Sequence, residues 1–331
     1  MKLYQLFVCF LIVFSSCETD FDVNAEWQDV TIVFGLLDPG QNDQYIKINK
    51  AFLGNDEAFE MASVADSSNY DPSNLLVKIY QINEMAFNTY DTVGSPIILD
   101  TTILKKDTGL FSADENIIYT FNNDDLQSSN ISYDNNSIYA LEITNLISDN
   151  KVISQTEIIN SFSFESTSGN QWGLYIPNVP DSLTFRTKAI KWPITKNGII
   201  YQLDLIIKYT ENNNDTSITW SQSLQEPIGS SDMTCFIKGD DFFNFLSNNL
   251  STSTNKDFIG INLNMTIGTS NLKTYMQVNE PFSGIVQERP VFTNINNGLG
   301  LFSSRYTYFH SENIQLNQES LDYLETIGLG F

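Results

Sequence analysis

The sequence predicts an all-β protein, with two β-sandwich-like domains and one or two short helices. Three observations lead there. Apolar and polar residues alternate over several stretches, Asn, Asp, Ser and Gly separate those stretches at short intervals, and segments with helical periodicity are few. The clearest case is Phe258–Ile267, where Ile259, Ile261, Leu263, Met265 and Ile267 alternate with Gly260, Asn262, Asn264 and Thr266. That period of two is what a strand with one buried face requires.

The elements follow in chain order. Residues 1–16 carry one positive charge at Lys2, an unbroken apolar stretch from Leu6 to Phe14, and the small pair Ser15-Ser16. This is the three-part layout of an export signal. Its apolar stretch is too short for a membrane-spanning helix, which needs roughly 20 residues. The small pair is followed at once by Cys17, and the arrangement resembles the lipobox of bacterial lipoproteins, with Phe14 standing where Leu is commonest. The resemblance implies cleavage before Cys17 and acylation of its sulfur. Each buried methylene contributes about 0.8 kcal/mol, so two or three chains on one cysteine would hold the protein stably on a bilayer.

Residues 17–27 read as an acidic linker, with Glu18, Asp20 and Asp22 directly behind the cysteine. Acids at that position resemble the surface-export signal of Bacteroidota lipoproteins. The expected location is therefore the outer membrane, lipid-anchored, on the cell surface.

Residues 28–165 form the expected first domain. Val30–Leu37 is an apolar run, Tyr45–Lys50 alternates around Ile46 and Ile48, and further strands are expected at Leu75–Ile82, Ile117–Phe121, Tyr139–Thr144 and Lys151–Ile158. Short strands at this spacing suggest a sandwich. Periodicity lapses in the polar stretch Glu165–Asn170, and the second domain is expected over 166–331. It holds the strand Tyr201–Tyr209 and two helices, Asp240–Leu250 and Glu319–Ile327, the latter before Gly328.

Composition excludes more than it selects. Forty Asp and Glu stand against 17 Lys and Arg. Nucleic acid is not an expected partner, since both it and anionic membranes demand basic patches. Cysteine counting leaves only Cys235 after Cys9 is removed and Cys17 modified, so no intrachain disulfide is expected and Cys235 reads as a small buried apolar residue.

The single histidine, His310, lies in Tyr306-Thr-Tyr-Phe-His310. A zinc set cannot be assembled from one histidine, and no Gly-x-Ser-x-Gly elbow accompanies it for a nucleophilic triad. No cofactor and no metal is expected. Asp240-Asp241 reads as helix N-terminal charge and Asn122–Asp125 as a turn, neither having the spaced ligands of a calcium loop. Paired carboxylates could still cleave glycosides without histidine. Trp27, Trp172, Trp192 and Trp220 are expected mainly in the core. Asp91-Thr92-Val93 and Asp181-Ser182-Leu183 resemble the acceptor tripeptide for O-glycosylation in Bacteroidota, making Thr92 and Ser182 candidate sites.

A wider resemblance rests on Gly35-Leu-Leu-Asp38 with Tyr45-Ile-Lys-Ile-Asn-Lys-Ala-Phe-Leu-Gly54, on Ile138-Tyr-Ala-Leu-Glu-Ile-Thr144, on Ile153-Ser-Gln-Thr156, and on Pro290-Val-Phe-Thr-Asn-Ile-Asn-Asn-Gly-Leu-Gly-Leu-Phe302. These segments are similar to a group of Bacteroidota surface lipoproteins whose function is not established. The resemblance implies an immunoglobulin-like first domain and a surface location. The expected function is a non-enzymatic, surface-anchored accessory to an outer-membrane transport or adhesion system, binding an outer-membrane transporter or an extracellular glycan or peptide. The alternatives are a carboxylate-dependent glycoside hydrolase and a structural or adhesive subunit.

Overall fold

The computed structural model describes residues 30–51, 68–85, 89–105, 116–181, 184–229, 232–252, 255–281 and 290–331. Among the described residues strands take 51 % and helices 16 %, so the protein is all-β. The first strands are β1 (Thr31–Leu37), β2 (Asp43–Lys50), β3 (Leu75–Met85), β4 (Thr89–Ile98), β5 (Asp100–Leu104), β6 (Asn116–Asn122), β7 (Ile138–Asn145) and β8 (Lys151–Glu157), with helix α1 (Asn123–Ser128) after β6. The chain continues through β9 (Gln171–Trp172), β10 (Thr187–Trp192), β11 (Ile200–Glu211), β12 (Asn214–Ser221), β13 (Met233–Lys238), α2 (Gly239–Asn249), β14 (Lys256–Gly268), α3 (Ser270–Asn279), β15 (Ile295–Asn296), β16 (Gly298–Leu316) and α4 (Gln318–Thr326).

A nine-stranded sheet runs β12-β11-β14-β16-β1-β2-β6-β5, with β9 added at the far end of β16. A five-stranded sheet, β15-β8-β7-β3-β4, faces its β1 half, and their inner faces make the first core. Val33, Leu37, Ile46, Ile48 and Phe121 come from one sheet, and Val77, Ile79, Leu141, Ile143 and Val152 from the other. Over the β11–β14 half lie the β10–β13 pair and helices α2 and α4. That second core holds Trp172, Trp192, Leu205, Ile207, Phe242, Phe243, Leu263, Met265 and Leu324. Ile158 packs in the first core and Ile159 in the second, while Ile295 and Phe302 bring the late chain back to the first.

Strand β16 joins the halves. Its Gly298–Ser304 segment pairs in parallel with β1, Arg305–Ile314 pairs antiparallel with β14, and Gln315 and Leu316 pair in parallel with β9. A strand that changes partners is covered on both sides where it crosses, and Leu301, Phe302, Ser303 and Ser304 are buried in succession. Alternation therefore vanishes there, and no period of two marks this strand in the sequence.

The described residues contain four α-helices where periodicity predicts two. The expected pair is present as α2 and α4. Asn122–Asp125, expected as a turn, instead opens α1 through a capping box. Asn122 Oδ1 accepts from Asp124 N at 2.9 Å and Asp125 N at 3.1 Å, and Asp125 Oδ2 accepts from Asn122 N at 2.8 Å. Helix α3 fully buries none of its residues, and its apolar face, Leu272, Tyr275 and Met276, spans little more than one turn, too short a stripe to mark the helix in the sequence.

Candidate functional site

The residues singled out by the sequence are dispersed. Cys17, Glu18, Asp20, Asp22, Trp27 and Ser182 lie outside the described residues. Thr92 is exposed on β4, opposite Ile82 of β3. His310 is largely enclosed, its ring 5.6 Å from that of Phe164 and 6.4 Å from that of Tyr308. Its Nε2 is 3.4 Å from Glu312 Oε2, within ion-pair distance but without hydrogen-bond geometry. Cys235 is buried, and burial pushes its thiol above the ordinary value, which keeps it protonated and unreactive. Trp172 and Trp192 are fully buried, and Trp220 stacks on Phe245 at 5.4 Å.

Asp240 and Asp241 sit in the first turn of α2, where the helix dipole favours negative charge. Lys256 is wholly buried and structural: Nζ donates to Ser251 O at 2.5 Å and Leu329 O at 3.2 Å, and lies 3.6 Å from Glu211. Among the described residues no three His, Cys, Asp or Glu side chains cluster as a metal site would require. No helix among them is long and apolar enough to cross a membrane.

The site that the structure does build lies on the outer face of the nine-stranded sheet. Phe34 and Leu36 point outward from β1, Tyr45 from β2 and Leu301 from β16, because their neighbours Val33, Leu37, Ile46 and Phe302 fill the first core. Leu272, Tyr275 and Met276 of α3 form the opposite wall of a groove of about 740 Å³. The rings of Phe34 and Tyr275 meet edge to face at 6.1 Å. The rim stays open, with Phe34, Tyr45 and Met276 still 44 %, 45 % and 42 % exposed. Helix α3 is fixed at its start, where Thr269 Oγ1 shares a hydrogen bond with Ser303 Oγ at 2.7 Å and Thr269 N donates to Ser304 O.

One end of the groove is polar and rigid. Asp38-Pro-Gly-Gln41 is a tight turn closed by Gln41 N donating to Asp38 O at 2.9 Å, with Asp38 Oδ1 accepting from Gly40 N. Gln44 braces it from β2: Asp38 N donates to Gln44 Oε1 at 2.7 Å, and Gln44 Nε2 donates to Asp38 O at 2.9 Å. The Asp38 side chain also accepts from Thr307 N at 3.0 Å, Thr307 Oγ1 at 2.6 Å and Arg305 Nε at 3.1 Å. A buried carboxylate is tolerable when it is paired and fully hydrogen-bonded in this way. Nearby, burial, reinforced by the Asp38 charge, pushes the Tyr306 hydroxyl above its usual range.

This arrangement orients Arg305. Its guanidinium is tied down through Nε while the side chain remains 45 % exposed, leaving the terminal nitrogens to donate to an acceptor in the groove. The combination suits a ligand with an apolar or ring-bearing portion and an oxygen acceptor beside it. Asp38 is poorly suited to proton transfer, since both of its oxygens are committed to donors. Sequence reasoning singled out none of these residues as a site. The available signal was the apolar run Val30–Leu37, in which Ile32-Val33-Phe34 and Leu36-Leu37 place apolar residues on both faces where a strand with a solvated face would alternate.

No protein-family model and no curated protein matches this chain.

Proposed function

We propose that the protein is a lipid-anchored binding lipoprotein of the outer-membrane surface, non-enzymatic, with its ligand site in the groove between β1, β2 and α3. The observation that carries this reading is the open aromatic and aliphatic groove ended by an arginine that a buried carboxylate holds in place. Rigid placement of donors and rings lowers the ordering cost of binding. An extracellular glycan or peptide fits the mixture of rings and a charged donor. Capture by an outer-membrane transporter is compatible with the same site.

Two experiments test the two parts. A screen of oligosaccharides and peptides should yield a ligand whose affinity falls at least tenfold in Arg305→Ala and in Tyr275→Ser, both of which should remain folded. A ligand found by the screen that is indifferent to both changes would remove the groove from the proposal. Anchoring is tested separately by growth with a labelled fatty acid: the wild type should incorporate label and Cys17→Ser should not.

A further inference from the structure

The groove keeps its apolar and polar linings apart. Leu36, Leu272 and Leu301 share the walls with the rings of Phe34, Tyr45 and Tyr275, while the polar lining belongs to the Asp38 turn or is tied to it, as Arg305 is. Most of that polar capacity is already used. Asp38 Oδ1 accepts from Gly40 N and Thr307 N, and its Oδ2 from Arg305 Nε and Thr307 Oγ1. Gln44 holds the turn through both ends of its amide, and Asn42 Nδ2 donates to Asp43 Oδ1 at 3.0 Å. What remains for a ligand is chiefly the terminal N–H groups of Arg305, at one end of the groove.

This distribution discriminates between ligand chemistries. A sugar carries hydroxyls around its whole ring, and those set against leucine would lose water without gaining a partner. A peptide instead presents apolar side chains on one side and its main chain on the other. The groove has no free main chain for a peptide to pair with: β1 lies between β16 and β2, β2 lies between β1 and β6, and α3 is hydrogen-bonded within itself. A bound peptide therefore inserts side chains rather than adding a strand. Its main chain stays at the open rim, in water except where a carbonyl reaches Arg305. Met276, on that rim, has a flexible, polarisable side chain that adapts to apolar groups of different shape. A groove of about 740 Å³ takes a ligand of drug size, which for a peptide is a few residues.

Charge narrows the class further. Beside the groove Arg305 pairs with Asp38 and Lys273 with Glu226, Lys47 turns its Nζ to Asn116 Oδ1 and Ile117 O, and Asp43 is exposed at the rim. Around them the whole chain carries a net −23. A field of that sign draws in basic ligands and repels acidic ones. It also selects a neutral carbonyl over a carboxylate as the acceptor on Arg305, whose charge Asp38 already balances.

We infer that the groove binds a short peptide segment with apolar side chains and basic flanks, its side chains inserted between β1 and α3 and one main-chain carbonyl accepting from Arg305. This rests on the groove being the ligand site, as proposed above.

The experiment presents the full chain with a pool of short acetylated, amidated peptides varied at every position, and in parallel with a panel of oligosaccharides and with monolaurin. Peptides recovered on the protein should be enriched in large apolar residues, enriched in Lys and Arg beside them, and poor in Asp and Glu. Synthesised singly, a recovered peptide should bind about tenfold more weakly to Arg305→Met, which keeps the apolar stem, and about fivefold more weakly to Met276→Gln. The second change lies on the open rim, so it tests the groove even where the first disturbs folding. Replacing the flanking basic residues of the peptide by Glu should weaken binding, by a margin that added salt reduces. Recovered peptides that are acidic overturn the inference. Peptides indifferent to both substitutions overturn it and remove the groove as the site. An oligosaccharide or monolaurin that binds in place of peptides and is weakened by the same substitutions overturns the peptide while the groove stands. No ligand from any of these sources overturns both.

Discussion

The two cores share one sheet yet are built in different ways. In the first, a second sheet covers the inner face, and the filling is largely aliphatic, from Val33, Ile46, Ile79, Leu141 and Val152. In the second, helices and a two-stranded pair cover it, and the filling, again mostly aliphatic, also holds the fully buried Trp172 and Trp192 beside Phe242 and Phe243. Their outer faces differ as well. Beyond the second core the sheet presents Gln202, Asp204, Asn264 and Thr266, whereas beyond the first it presents Phe34, Leu36, Leu299 and Leu301. A polar outer face asks for nothing but water. An apolar one is either covered or used, and α3 covers only part of it.

Separating the halves should have the largest effect on stability. Gly300 has φ +108°, and a Cβ there would lie 2.0 Å from Val33 O, so no side chain fits where β16 pairs with β1. Gly300→Ala should destabilise the protein by roughly 3 kcal/mol or more. In denaturant, the first core should melt ahead of the second, with near-ultraviolet signals from Trp172 and Trp192 retained after the first transition. A single cooperative loss would instead mean that β16 makes the two cores one unit.

Alkali should weaken the first core by a smaller margin. Burial pushes the Tyr119 hydroxyl in the first core up to about 12, and burial raises Tyr133 and Tyr139 there as well. A raised phenol favours the neutral form in the folded state. Its contribution is therefore complete below the ordinary value of 10.0 and is lost as pH climbs from there toward about 12. For Tyr119 the loss is on the order of 2–3 kcal/mol. Its hydroxyl is also buried without a hydrogen-bond partner, so Tyr119→Phe should leave stability at pH 7 unchanged or raised by up to ~1 kcal/mol. Urea titrations of both proteins from pH 8 to 12 measure this. Equal pH slopes would contradict the assignment.

The same contrast explains what the sequence made legible. β11 and β14 have one apolar and one polar face, so Leu203, Leu205, Ile261 and Leu263 stood out at a period of two and both strands were expected within a few residues of their ends. Helices α2 and α4 cover the second core and showed their apolar stripes. β16 escaped because it crosses between partners, and α3 because it buries no complete side chain. The groove depends on both of those elements. Its arginine is placed by Asp38, distant in sequence, and that pairing is fixed by the parallel register of β1 and β16 rather than by any local pattern.

The smallest stability effect, and the sharpest functional one, is expected at adjacent positions of β1. Val33 is fully buried in the first core, while Phe34 points the other way and is 44 % exposed in the groove. Removing buried methyl groups leaves a cavity, so Val33→Ala should cost about 2 kcal/mol. Phe34→Ser removes a ring that is already partly in water, and its stability change should stay below about 1 kcal/mol. Binding should rank them in the opposite order, with Phe34→Ser losing the ligand found by screening and Val33→Ala keeping it wherever the protein is folded. Thermal melts and titrations of the two variants read both quantities. If Phe34→Ser proves as destabilising as Val33→Ala without weakening the ligand, the outer face of β1 is packing, and the groove loses its role as the site.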